Sequence, residues 1–180
     1  MITLLSCSNR TNNFTQIFAL HACEYLSQMK KEQVRMLDLT QIGPEHIHLT
    51  SYRPEDQSEA LLNMRSEFFL PAEKFWFFVP EYNGSIPGIL KMLLDALSID
   101  QSKESFSEKK ACITGTATGR AGNLRGIDHL SDILNNLNVT VFPSRLPISS
   151  IHKLIDEERN LIHLETINCL QKQADQFVAY

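Results

Sequence analysis

No apolar run in this 180-residue chain approaches the roughly 18 residues that a bilayer-crossing helix needs, so no membrane role is expected. Cysteine is sparse and dispersed. Cys7, Cys23, Cys112 and Cys169 form no C-x-x-C pair, which argues against a zinc site or a disulfide framework and suits a reducing compartment. Basic charge is also short: the net charge is −4 and the pI is near 5.9. The chain therefore has no positive field with which to grip nucleic acid. Its opening residues, MITLLSCSNR, carry no basic leader and only a short apolar run. No secretory signal is expected from them, and the cytoplasm is the expected compartment.

What the chain does have is apolar substance, 43% of its residues, enough for one domain over 1–180 with a sizeable core. Five short β-rich runs stand out: ITLL (2–5), VRML (34–37), FWFFV (75–79), ACIT (111–114) and VTVF (139–142). Each is apolar on successive residues, as strands covered on both faces should be. Between them run helical stripes. The first is Phe14, Ile17, Phe18, Ala22, Tyr25, Leu26 and Met29; the second is Ile86, Ile89, Leu90, Leu93, Leu94 and Leu97. Ile127, Leu130, Leu134 and Leu137 make a third, and Leu164, Ile167, Leu170, Ala174 and Phe177 mark a terminal helix. The stretch 44–70 is the least legible, with a helix in SEALLNMRSEFF and a loop in PEHIHLTSYRPEDQ. The alternation predicts an open parallel sheet with helices on both faces. Ligands of such sheets sit at the carboxyl ends of the strands.

Three segments at those ends are chemically unusual. SCSNRTNNFT (6–15) joins a strand to a helix amino terminus, where unpaired N–H groups and the helix dipole favour a phosphate. Ser8, Asn13 and Thr15 offer side-chain hydrogen bonds and Arg10 a planar charged donor. Capping alone would need only Asn12 or Asn13. The segment lacks both G-x-x-x-x-G-K-[ST] and G-x-G-x-x-G, which sets aside a nucleoside-triphosphate loop and the dinucleotide fingerprint. PEYNGSIP (80–87) follows the third run. Pro80 ends a ladder, Gly84 supplies backbone freedom, and Ser85 and Pro87 suit the start of a helix. That leaves Glu81, Tyr82 and Asn83 free to meet the edge of a flat heterocycle. TGTATGRAGN (114–123) carries Gly115, Gly119 and Gly122 among small side chains, either as a low floor under a ligand or as a flexible turn. A phosphate anchor, a ring edge and a ring floor together fit a phosphorylated flat cofactor such as FMN.

These residues resemble the NADPH-dependent FMN reductases, flavodoxin-like enzymes that include quinone, azo-dye and chromate reductases. PEYNGSIPGILK matches the family pattern P-E-Y-N-x-S-x-P-G-x-L-K. CSNRTNNFT resembles its phosphate motif G-S-x-R-x-x-S-x-N, and GRAGN followed by Leu124 and Arg125 resembles its G-x-x-G-G segment. The resemblance spans residues 2 to about 142. It implies a five-stranded sheet of order 2-1-3-4-5 binding FMN, with NADPH or NADH as co-substrate. By position, Ser8, Arg10, Asn13, the Phe14 backbone and Thr15 would hold the phosphate. Pro80, Glu81, Tyr82, Asn83 and Gly84 would line the ribityl chain and ring, and Thr116 the pyrimidine side. Cys7, Asn13, Thr15 and Asn123 depart from the family residues. A ping-pong cycle to a quinone, flavin, azo or similar small-molecule acceptor is implied, in a homodimer or homotetramer. Backbone N–H groups of 116–119 are expected to stabilise charge on the reduced ring.

No side chain is required as acid or base for the first half-reaction, and Tyr82 is a candidate for protonating the second substrate. A flavodoxin-type electron carrier and a flavin-free regulatory module are the alternatives, and the departures at Cys7 and Asn123 keep the module in play. The remaining marked residues read as ordinary. HIH (46–48) is not expected to bind metal, Cys7 reads as a small semi-buried residue, DEER (156–159) as a solvated turn and Trp76 as core.

Overall fold

The protein is described here from a computed structural model over residues 1–30, 32–43, 45–47 and 52–180. The apolar runs form strands β1 (Ile2–Ser6), β2 (Val34–Asp38), β3 (Lys74–Pro80), β4 (Lys110–Thr116) and β5 (Thr140–Val141). A short strand β6 (Leu146–Ile148) follows. All pairings are parallel, in the order β2-β1-β3-β4-β5, with β6 also pairing β4. This is the flavodoxin-like arrangement expected. The helices are α1 (Thr15–Glu24), α2 (Glu59–Met64), α3 (Gly88–Leu97), α4 (Ser102–Phe106), α5 (Leu124–Asn136) and α6 (Leu164–Ala179). Helices α1 and α2 continue as π-helical turns over Tyr25–Met29 and Arg65–Phe69.

Successive strand residues point to opposite faces, and here both faces are covered. Phe75, Phe77 and Val79 pack with Leu90, Leu93, Leu94, Ile127 and Leu130 on one side. Trp76 and Phe78 pack with Phe18, Ala22, Leu26, Leu170 and Phe177 on the other. Every residue of FWFFV is fully buried, Trp76 included. A polar network crosses the second face: the Trp76 Nε1–H donates to Thr114 Oγ1 at 2.9 Å, and Thr114 donates to Gln173 Oε1 at 2.7 Å. No helix among the described residues is long and apolar enough to cross a membrane.

The structure departs from the sequence expectations at defined points. The fifth strand position is filled by two pieces rather than by 139–142. Phe142 N–H still reaches Ala111 O, but Pro143 has no donor to give, and Ser144 O turns to accept from Gln173 Nε2 at 2.8 Å. The ladder resumes at Leu146. Ser85 does not cap α3; Pro87 occupies that position without a side-chain cap, and Ser85 Oγ lies 2.8 Å from His129 Nδ1. Helix α4 has no sequence expectation behind it. Gln101 starts it at φ 50°, and its Phe106 edge packs on Phe69 at 5.7 Å. The expected helix in 58–69 is present, capped by Ser58 Oγ accepting from Leu61 N–H at 3.1 Å. Of the HIH pair, His48 lies outside the described residues.

Candidate functional site

The first loop leaves β1 with Cys7 N–H donating to Phe78 O at 2.9 Å. Alternation then sends the Cys7 side chain into the core beside Leu5 and Leu37, where it is fully buried. Burial pushes its thiol pKa well up, and Asp38 adds to this while a backbone hydrogen bond from Phe78 opposes it. A protonated, enclosed thiol is not a nucleophile. Ser8 is 1% exposed, and its hydroxyl accepts from Arg10 N–H at 3.3 Å. Asn12 takes the left-handed backbone at φ 55°. Phe14 occupies the N-cap position of α1, and Asn13, just before it, closes the helix end: its Oδ1 accepts from Gln16 N–H at 2.9 Å and its Nδ2 donates to Arg10 O at 2.9 Å. One asparagine makes the turn and the other closes the helix end. The N–H groups of Thr11, Asn12, Asn13 and Phe14 have no partner among the described residues.

The second loop contacts both of the others. Glu81 N–H donates to Thr116 O, and Tyr82 and Ser85 exchange two backbone hydrogen bonds at 3.0 Å. Asn83 and Gly84, at φ 52° and 76°, form the tip of that two-residue hairpin. Asn-Gly is the pair such a turn demands. Both residues therefore have a structural explanation, and neither lines the cleft. Tyr82 reaches back: its hydroxyl lies 3.1 Å from Ser8 Oγ, and the Arg10 guanidinium stacks 4.6 Å over its ring.

The third loop is pinned from the side of β6. Ala117 N–H donates to Ile148 O, Ile151 N–H to Ala117 O, and Ser150 N–H to Gly119 O. Ala117 is thus not available as a ring-edge donor, a correction to the expected set. Thr118 and Gly119 N–H groups have no partner among the described residues. A Cβ added at Gly119 would meet nothing within 4 Å, whereas one at Gly115 would sit 2.4 Å from Gly122 O. Asn123 is buried at φ 64°; its Nδ2 donates to Val79 O at 2.9 Å and its Oδ1 accepts from Gly126 N–H at 3.1 Å. Its left-handed backbone is one that glycine adopts freely, and its amide also ties α5 to the end of β3.

The three loops meet in one cleft of about 520 Å³. Ser8, Arg10, Asn13, Phe14, Thr15, Pro80, Glu81, Tyr82 and Thr116 line it, together with Thr11, Asn12, Ala117, Thr118, Gly119 and Ile151. Thr15 Oγ1 and Thr116 Oγ1 are 2.8 Å apart and buried, joining the amino end of α1 to the floor. Ile151 carries no sequence signal; only the turn after β6 brings it in. Arg159, read as part of a solvated turn, also reaches the first loop, donating to Asn12 O and Asn13 O. One end of the cleft can bind an anion, through Arg10 and free N–H groups. The other, Thr116–Gly119, is lined by small side chains and is open above Gly119. Among the described residues no cluster of three or more His, Cys, Asp or Glu is placed to hold a metal ion.

The family model described as NADPH-dependent FMN reductase matches residues 1–153. A 2-hydroxy-1,4-benzoquinone reductase from a Burkholderia species is 29% identical over 102 residues, 56% of either chain. An NAD(P)H-dependent FMN reductase of Pseudomonas aeruginosa is 34% identical over 105 residues, 57% of this chain and 55% of that one. The matched region thus spans little more than half the length of these relatives. Among solved structures, the flavoenzyme NAD(P)H:(acceptor) oxidoreductase of Paracoccus denitrificans superposes with a TM-score of 0.77 at 18% identity. That match covers 99% of this chain and 95% of the other, and it supports the fold alone.

Proposed function

Because the chain belongs to the NADPH-dependent FMN reductase family, we propose that it is an FMN-dependent NAD(P)H oxidoreductase with a small-molecule acceptor, formed as one domain over 1–180. The observation that carries this reading is the pairing of ends within one cleft. Arg10 and the unpartnered N–H groups of Thr11–Phe14 face the same space as the Thr116–Gly119 floor. A dianionic phosphate suits the first end, since a helix amino terminus and a guanidinium both favour negative charge. A flat ring suits the second, where Gly119 leaves open space. When bound, FMN would supply the redox chemistry, accepting hydride from NADPH or NADH and returning it to a quinone, flavin, azo or similar acceptor in a ping-pong cycle.

The chain's own residues bind and orient. Ser8 and Arg10 fix the anion, and the Thr15–Thr116 contact keeps the anion end and the floor at a set separation. Tyr82 shapes the wall above them through its Ser8 and Arg10 contacts and is the candidate for giving a proton to the second substrate. The free N–H groups of Thr118 and Gly119 stand ready for negative charge at a ring edge. The departures that favoured a flavin-free module do not intrude: Cys7 packs into the core and Asn123 lies behind the floor. A homodimer or homotetramer in the cytoplasm completes the reading; exposed Met92 on α3 and Leu124 on α5 offer apolar surface for association.

The test is direct. Purified protein should carry or take up FMN, show flavin absorbance, and oxidise NADPH or NADH when a benzoquinone is supplied. Initial rates against both substrates should give parallel double-reciprocal lines. Protein that ignores added FMN sinks the proposal; flavin without turnover makes it a carrier.

A further inference from the structure

The family match ends at residue 153, yet a side chain beyond that point grips the first loop. The Arg159 guanidinium donates to Asn12 O at 3.1 Å and to Asn13 O at 2.9 Å, and it lies 5.4 Å over the Phe14 ring. Its turn is firmly built. Asp156 accepts from Asn160 N–H at 2.6 Å and from Asn160 Nδ2 at 3.1 Å, and Ile155 bridges Leu161. Leu154, Ile155 and Leu161 root that turn against the α1–α6 core. Arg159 itself sits at φ 68°, a backbone region that arginine seldom occupies. Among the described residues no carboxylate lies within ion-pair distance of its guanidinium, although Asp156, Glu157 and Glu158 precede it in the same turn.

Peptide geometry gives these contacts a consequence. All described peptide bonds are trans, and in a planar trans peptide one residue's carbonyl and the next residue's N–H point in opposite directions. Drawing the Asn12 and Asn13 carbonyls toward Arg159 turns the Asn13 and Phe14 N–H groups away from it. Asn13 and Phe14 line the cleft, and those two N–H groups have no partner among the described residues. A cation on the carbonyl side also polarises both peptides and strengthens their N–H groups as donors. We propose that Arg159 is a positioning residue for the anion end of the cleft, setting the Asn13 and Phe14 peptides so that they receive the phosphate of FMN. The inference rests on the FMN reading given above. It adds that this chain completes its phosphate loop with a strap from its carboxyl-terminal segment.

The test compares FMN with riboflavin, which has the same ring and no phosphate, by quenching of flavin fluorescence on titration with protein freed of any flavin. Arg159→Ala should weaken FMN about tenfold, the loss of charge-assisted hydrogen bonds acting on an anion, and leave riboflavin within about twofold. Arg159→Lys keeps the charge without the planar fork and should recover part of the loss. If Arg159→Ala does not fold, Arg159→Lys and Arg159→Gln carry the comparison, each expected to weaken FMN selectively. Unchanged FMN affinity in the variants, or equal weakening of FMN and riboflavin, overturns the proposal. A parent protein that binds FMN no better than riboflavin overturns the phosphate site itself, and this inference with it.

Discussion

Asn12, Asn83 and Asn123 sit at φ 55°, 52° and 64°, one in each loop of the cleft. Asparagine tolerates the left-handed region better than any branched or bulky residue, because its short amide bonds locally. At Asn123 the amide also caps α5 and holds Val79 O. Asn123→Gly keeps the backbone conformation and loses the amide, whereas Asn123→Ala loses both. Alanine should therefore cost about 2–4 kcal/mol and glycine about 1 kcal/mol less, in urea unfolding. Equal costs would mean that φ carries no strain there. Arg10 is a different case, since its guanidinium rests on Tyr82 and faces the cleft. Arg10→Ala should weaken FMN by about 1.5–3 kcal/mol while leaving the unfolding midpoint nearly unchanged. A variant that retains flavin through long dialysis as well as the parent would remove Arg10 from the anion site.

The split between β5 and β6 depends on a helix remote in sequence. Gln173 of α6 accepts from Thr114 and donates to Ile113 O and Ser144 O, so one amide serves β4 and the break after Phe142 together. Gln173→Ala would leave these buried groups without partners, and we expect a loss of about 2–4 kcal/mol in urea unfolding. Its effect on FMN affinity should be far smaller than that of Arg10→Ala, because Gln173 does not line the cleft. The strands themselves were legible because FWFFV and ACIT are apolar on consecutive residues, which only a doubly covered strand requires. The break was not legible, since VTVF reads as continuous until Pro143 and the pull of Gln173 on Ser144 are both in view. Helix α4 was hidden for a related reason: its one strong apolar residue, Phe106, makes no periodic stripe.

Titration couples the two ends of the sheet to overall stability. At the end opposite the cleft, Lys109 Nζ caps the π-helical turn through Phe69 O and Leu70 O, and burial lowers its pKa to about 8. The unfolded chain, at the ordinary lysine value of 10.5, holds that proton to higher pH. Between about 8 and 10.5 the unfolded state thus binds more protons at this group, and its contribution to stability rises with pH through this window. Cys7 and Cys112 act oppositely. Burial raises both thiols well above 9.0, so the unfolded chain loses these protons first and stability falls as pH climbs past 9.0. Urea unfolding should show stability increasing from pH 8 toward 9 and declining beyond it. Burial lowers the Lys74 pKa in the same direction, so Lys109→Met should diminish the rise and leave the fall; a rise unchanged in this variant would assign it to Lys74.

The chain alone determined the sheet, its two-sided covering and the three loops that gather at its carboxyl edge, because consecutive burial and turn chemistry are local properties written into neighbouring residues. It also carried PEYNGSIPGILK, whose polar residues exceed what a strand end needs. Folding decided which of those residues do which work. Asn83 and Gly84 turned out to shape a hairpin, Ala117 to spend its donor on β6, Cys7 to face the core, and Ile151 and Arg159 to arrive from far along the chain. Such assignments depend on which hydrogen-bonding groups already have partners, and partners distant in sequence are set only when the sheet edge and α6 close around the loops.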